Sequence, residues 1–319
     1  MVRNRIRLMH LALSTEESYC GWTGRYYDYC VSLPKQMQSE HKAESFLSYL
    51  AKNRGIAAST QNQAFSAILF LYKEVLGSPL KQVEAFRAKK PVHERVSPSK
   101  DQVRQLRRAL EDTHHTPVRL IVDLLYGCGL RVSEPLELRI KDILWDEGPT
   151  GQLIIRGAKG GKDRRVPIPN SCVEPLKKQL EHAKAIWAWD RRNAPAVGVP
   201  LPFSLAVKYP SAPFAWQWFW AFPAKNHCTH PRENIQVRYH ILVDSIQRAV
   251  KKASEQIGLY GTISPHCLRH AYATHSRERI DSLRILMGHS NIETTAGYLH
   301  PVINEASNPL DDMAIMKSS

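Results

Sequence analysis

Six side chains in this sequence have the types and the order for chemistry at a phosphate. Tyr298 lies nine residues beyond His289, and His289 follows Gly288. His266 and Arg269 form an H-x-x-R pair, Lys159 sits in the glycine-rich run from Gly157 to Asp163, and Arg131 follows Gly129 and Leu130. A phosphodiester resists attack because its oxygens are negative and its leaving group is an alkoxide. Catalysis needs cations on the non-bridging oxygens, an in-line nucleophile and an acid for the leaving oxygen. Arg131 and Arg269 suit the first task, because a planar guanidinium matches two phosphate oxygens. Tyr298 suits the second. A free phenol has a pKa of about 10, so it needs cations or a base beside it. Lys159 suits the third, and His266 and His289 can donate or accept a hydrogen bond near neutral pH. A covalent phosphotyrosine conserves the bond energy, so no metal, ATP or other cofactor is expected. Each residue alone means little; the joint order of five unrelated elements carries the weight.

These side chains need rigid elements to hold them. Ser14 and Glu17 have the spacing of a capping box and are expected to head a helix with Tyr19, Trp22, Tyr26, Tyr29 and Cys30 on one stripe and Arg25 beside it. Apolar periodicity predicts further helices near residues 40–51, 60–76 and 80–87, which makes a small four-helix domain over residues 1–90. Residues 91–98 continue a run with two prolines and several basic side chains, among them Lys89, Lys90 and Arg95. Such a run reads as an extended linker where a duplex could be crossed. A second domain over 99–319 opens with another capping box, Ser99 and Gln102. A helix over 117–126 ends at Gly127-Cys128-Gly129, and Arg131 is expected to open the short helix after it, with Pro135 in its first turn. Strands are expected at 153–156 and 164–168 around the glycine-rich turn, and helices near 173–191 and 237–257.

Bulk composition narrows the partner. The 319 residues carry a net charge of +14 and a pI near 9.6, which favours a polyanion, nucleic acid before membrane surface. The six cysteines contain no CxxC pair, so a reducing compartment fits better than a disulfide framework. His227, Cys228 and His230 lie close together, but no second ligand pair is spaced to complete a zinc site, and they read as a polar loop. No transmembrane run is evident. Arg3, Arg5 and Arg7 before a short apolar stretch imitate a leader, and they read instead as a basic N-terminal arm. Residues 193–232 differ in texture. They combine many prolines with Phe214, Trp216, Trp218, Phe219, Trp220 and Phe222, too apolar for a disordered linker, and read as an inserted element.

The sequence resembles the tyrosine recombinases, or phage-type integrases. The likeness rests on Gly129-Leu-Arg131-Val-Ser-Glu134, Lys159-Gly-Gly-Lys162, His266-Cys-Leu-Arg269-His270, Gly288-His289 and Tyr298. The insert with its Trp/Phe run, and the helix with Tyr19, Trp22, Arg25 and Tyr26, resemble the integron integrases. The resemblance implies a mainly α (α+β) fold, with a helical core-binding domain and a mostly helical catalytic domain around a small antiparallel sheet. It implies that Arg131, Lys159, His266, Arg269 and His289 surround the scissile phosphate, with Glu134 bracing them and Lys162 as the alternative lysine. Tyr298 would form a 3′-phosphotyrosine. DNA contacts are expected from Arg25, Lys89, Lys90 and Arg95, and Trp216, Trp218 and Trp220 would stack on bases flipped from a folded single strand. The implied partners are a duplex attachment site, a folded single-stranded cassette site and further copies of the chain in a tetramer, in the bacterial cytoplasm. The sequence departs from the family in two respects, the milder being Pro135, where the family usually has a helix-forming apolar residue. The segment Ser276 to Met287 is shorter by about one helical turn. A relative that binds DNA without cutting it, or a nicking enzyme like a type IB topoisomerase, are the rival expectations.

Overall fold

The aromatic stripe expected after Ser14 is the core of the first unit, Met1–Glu94, in a computed structural model that divides the chain there from a second unit, Arg95–Ser319. The structure describes residues 1–81, 97–158, 162–201, 203–261, 263–276 and 279–288. In the first unit, α1 (Val2–Leu8), α2 (Leu13–Val31), α3 (Ser39–Lys52) and α4 (Ala58–Phe70) follow one another, and α4 continues into a π-helical turn, Leu71–Val75. Trp22 and Tyr26 of α2 pack with Phe46, Leu47 and Leu50 of α3 and with Phe65 and Ile68 of α4. Each such buried side chain stabilises by roughly 1.5–3 kcal/mol. Within this core the hydroxyls of Tyr26 and Tyr72 meet at 3.0 Å.

Two expectations for this unit are corrected. Residues 2–8 are a helix and not a solvated arm. Ile6 is fully buried, Arg7 and Arg3 pair with the buried Glu16, and Arg5 donates to Glu74 at 2.9 Å. The arginines looked like an arm because their acidic partners lie elsewhere in the sequence. The Ser14–Glu17 box does not form either, because α2 already starts at Leu13 with Ala12 as its cap residue. The expected helix at 80–87 and the basic linker fall almost wholly outside the described residues.

In the second unit the Ser99 box does form. The Gln102 N–H donates to Ser99 Oγ and the Ser99 N–H donates to Gln102 Oε1, heading α5 (Lys100–Ala109). Next come α6 (Val118–Cys128) and the single turn α7 (Ser133–Leu136), which starts two residues beyond Arg131 rather than at it. Strands β1 (Ile143–Leu144), β2 (Gln152–Ala158) and β3 (Lys162–Pro167) form an antiparallel sheet in chain order. Leu153 lies opposite Val166 and Ile155 opposite Arg164, so Arg164 takes an inward position on β3. After α8 (Asn170–Asn193) and α9 (Phe203–Lys208), a hairpin of β4 (Pro223–Thr229) and β5 (Gln236–His240) leads to α10 (Val243–Gln256), α11 (Pro265–His275) and α12 (Ile280–Met287). The main core joins α5, α6, the three-stranded sheet, α10 and α11.

The insert is therefore larger than its proline-rich stretch. It closes with the β4–β5 hairpin, and residues 236–240, expected to begin a helix, are a strand. The β-formers Val237 and Tyr239, and the pairing with β4, account for this. His227 and Cys228 lie on β4 rather than in a loop, and His227 Nε2 is 2.8 Å from the buried Asp190. The described residues are mainly helical with small antiparallel sheets, and none of their helices is long and apolar enough to cross a membrane.

Candidate active site

Gly129 sets the geometry of the site. It ends α6 with φ near +61°, where an L side chain is strained, and a Cβ there would lie 2.3 Å from the Tyr272 ring of α11. The close approach brings α11 against the turn that carries Arg131. From α11, Arg269 reaches back and donates from Nη1 to the Gly129 carbonyl at 2.6 Å.

Glu134 is the hub. Its carboxylate accepts from the Arg131 backbone N–H at 2.7 Å and from Arg131 Nη1 at 2.8 Å. It accepts from Arg164 Nη1 at 2.9 Å and Nη2 at 2.6 Å. Arg269 Nη1 is 4.0 Å away. Burial by itself would raise the Glu134 pKa. The hydrogen bonds and charge of Arg164, with those of Arg131, outweigh burial and hold the carboxyl below the usual carboxylate range. Three guanidiniums around one carboxylate leave an excess of two positive charges in one place. Glu134 and Arg164 are both buried, Arg269 is 2% exposed, and Arg131 is only about a third exposed. Buried charge of one sign is costly unless something neutralises it, and a phosphodiester is an anion of the right shape for guanidinium forks.

The same arginines hold the end of α12. Arg164 Nε donates to the Leu286 carbonyl at 2.7 Å, and Arg269 Nη2 donates to the Met287 carbonyl at 2.6 Å. The last carbonyls of a helix have no partner within it, and cations are favoured there. Gly288 ends the helix with φ near +65°, and a Cβ there would meet Arg164 Cδ at 3.1 Å. The chain leaves the hub at the residue that precedes His289. The eight-residue α12 closes on the hub through the Leu286 and Met287 carbonyls.

The structure thus brings Arg131, Glu134 and Arg269 together. His266 lies in the first turn of α11, exposed, with its ring 4.5 Å from that of His270. Lys159, His289, Tyr298, Lys89, Lys90 and Arg95 lie outside the described residues, and Lys162 is described only in its backbone, as the first residue of β3. Arg25 is in the first unit, exposed, with its guanidinium 4.8 Å from the Trp22 ring. Sequence reasoning passed over Arg164. The available signal was an arginine in register with inward-facing Val166 on a half-buried strand, since a buried charge must be paired.

The three tryptophans separate. Trp220 is buried, with Arg139 3.9 Å from its ring centre, the His240 ring edge-on at 4.9 Å and its indole N–H donating to the Arg238 carbonyl. It cannot offer a face to a base, and the expectation that it stacks there is corrected. Trp216 and Trp218 are half-buried. Trp218 lies under the Lys141 ammonium, 3.0 Å from its ring centre, and lines a cavity of about 500 Å³ beside Glu134 and Arg139. Arg139 donates to the Trp218 and Pro200 carbonyls, tying the insert to the sheet side of the site, and burial lowers its pKa to about 10.

Residues 98–305 match the phage integrase family, and residues 1–82 match the phage integrase N-terminal SAM-like domain. The chain belongs to the phage integrase family and is an enzyme of the tyrosine recombinase class. It is 38% identical over 304 residues to an integrase/recombinase of Escherichia coli, covering 94% of this chain and 88% of that protein. It is 30% identical over 284 residues to tyrosine recombinase XerA of Pyrococcus furiosus, covering 86% and 82%. In fold it is similar to a lambda integrase (75-356) dimer bound to a COC′ core site, at a TM-score of 0.62 and 15% identity over 96% of each chain. The Tn1549 transposon integrase in complex with transposon right end DNA is similar at a TM-score of 0.61 and 15% identity, over 99% of this chain and 97% of that one.

Proposed function

We propose that this chain cuts and rejoins DNA by attack of Tyr298 on a phosphodiester held by Arg131 and Arg269. The observation that carries the reading is the excess positive charge around Glu134, placed where α12 ends and the Gly288–Tyr298 segment begins. Tyr298 gives up its phenolic proton to solvent or a neighbouring base, and its Oη forms a bond to phosphorus as the bond to the 5′ oxygen breaks. Lys159 protonates the departing oxygen, and His266 and His289 hydrogen-bond the non-bridging oxygens. A 3′-phosphotyrosine remains, and a 5′-hydroxyl from another strand reverses the step. Glu134 touches no reacting atom in this scheme. It keeps Arg131 and Arg164 in place.

The finer reading is of the integron type. Residues 1–90 act as the core-binding domain and 99–319 as the catalytic domain. Arg25 and the basic run with Lys89, Lys90 and Arg95 contact the phosphate backbone. The enzyme inserts and excises gene cassettes as a homotetramer on two sites in the bacterial cytoplasm. Trp218, with Trp216 behind it, contacts bases turned out of a folded single strand. The exposed part of Trp218 and the cavity beside it support that role.

The test is a nicked suicide duplex resolved on a denaturing gel. Wild type is expected to leave a slow covalent species, and Tyr298→Phe none, with duplex binding unchanged. Covalent trapping by Tyr298→Phe would remove Tyr298 as nucleophile. A folded single-stranded cassette site run beside the duplex tests the finer reading, which fails if the folded strand is never cut.

A further inference from the structure

We propose that His114, His115 and His182 form a binding site for one first-row divalent metal ion of the zinc class. The three come from two places far apart in the sequence. His114 and His115 occupy a tight turn between α5 and α6, fixed by reciprocal backbone hydrogen bonds between Thr113 and Thr116. His182 projects from α8. The ring centres of His114 and His115 are 4.7 Å apart, those of His114 and His182 5.3 Å, and those of His115 and His182 6.0 Å. One ligand nitrogen from each ring lies within 4.8 Å of the others.

Two of the nitrogens are otherwise unexplained. His115 Nδ1 and His182 Nε2 are shut off from solvent and have no hydrogen-bond partner. Buried polar atoms are nearly always paired, and a metal ion would satisfy both at once. Three imidazoles suit zinc, copper, nickel or iron rather than magnesium or calcium. At Zn–N distances of about 2.0–2.1 Å, tetrahedral ligand nitrogens stand about 3.3 Å apart. The rings therefore need to converge modestly, and the exposed His114 has room to swing. His114 and His182 also line a cavity of about 610 Å³ with Asp112 and Glu174, which gives a fourth ligand space as water. Bound metal would staple the α5–α6 turn to α8. From that turn α6 runs directly to Gly129 and Arg131.

The proposal is independent of the reading of Tyr298, and it is tested on untagged full-length protein stripped of metal. Titration with cobalt(II) is expected to give the intense visible bands of a tetrahedral site, saturating at about one ion per chain and bleached by one equivalent of zinc. His182→Ala is expected to weaken binding on the order of a hundredfold or more, because loss of even an outer-shell partner costs 10–100-fold. His114→Ala replaces an exposed ring, leaves the fold intact by circular dichroism, and is expected to act in the same direction. His230→Ala and Cys228→Ser are expected to bind as wild type. The proposal is overturned if wild type shows no tetrahedral band. It is equally overturned if the band survives both His114→Ala and His182→Ala, or if Cys228→Ser or His230→Ala removes it.

Discussion

Replacing Arg164 by methionine tests whether the Glu134 hub fastens α12. The change keeps most of the side-chain volume and removes two hydrogen bonds to Glu134, at 2.9 and 2.6 Å, and one to the Leu286 carbonyl, at 2.7 Å. Removing one partner of a buried ion pair generally costs 3–5 kcal/mol. Glu134 keeps its two bonds from Arg131, so the low end applies, about 3 kcal/mol. The Leu286 carbonyl loses a partner at about 1 kcal/mol. A loss of about 4 kcal/mol in urea unfolding is expected, a large share of the roughly 5–15 kcal/mol that holds a domain together. The pair Glu134→Gln and Arg164→Met should be non-additive by about 2 kcal/mol in a double-mutant cycle, as groups in one network are. In single-turnover cleavage of the suicide duplex below the unfolding range, the rate is expected to fall about a hundredfold, the effect of a displacement near 1 Å. Arg164→Lys keeps the charge without the fork and should fall between. If Arg164→Met shifts unfolding by less than about 0.5 kcal/mol and cleaves like wild type, Arg164 does not anchor the site.

Gly129→Ala combines a left-handed backbone with a clash against Tyr272; a loss of about 2–4 kcal/mol is expected in thermal or urea unfolding. Acid should weaken the protein through Glu134 and Asp190, whose folded pKa values both lie below the ordinary range. A depressed carboxylate contributes fully above its unfolded pKa of about 4, and that stability is lost as pH falls through the folded value. Urea midpoints measured from pH 7 to pH 3 should therefore drop below about pH 4, and Glu134→Gln should flatten the drop. Joint replacement of Lys89, Lys90 and Arg95 by alanine should reduce the slope of log binding constant against log salt by about 2.7, at roughly 0.9 for each phosphate no longer neutralised. Trp218→Ala should weaken binding of a folded single strand by about 1–3 kcal/mol while leaving duplex binding nearly unchanged.

The parts legible in the sequence were those encoded locally. The Ser99 box, the aromatic periodicity of α2 and the pairing of β2 with β3 on either side of the glycine-rich run each depend on residues a few positions apart. So does the Arg131–Glu134 pair. What escaped depended on partners outside the local pattern, from nine to 122 residues away. Arg3 and Arg7 looked solvated until Glu16 closed on them, and α1 went unseen. Arg164 became part of the site only when β3 met Glu134 from one side and the end of α12 from the other. The β4–β5 hairpin escaped because its prolines and aromatics hid a strand period, and because Val237 to His240 merges with the helical pattern of α10. The three histidines share no spacing motif, since His182 comes to the α5–α6 turn only through the packing of α8.

Arg269 donates one guanidinium nitrogen to Met287, at the foot of the segment that leads to Tyr298. Under the proposed function, a phosphate at the same guanidinium would share its five N–H donors with the Gly129 and Met287 carbonyls. By thermodynamic reciprocity, whatever factor phosphate occupancy takes from the α12 anchor, a firm anchor takes from phosphate affinity. If the proposed function holds, uptake of a phosphate at Arg269 and loosening of the end of α12 are therefore two readings of one equilibrium.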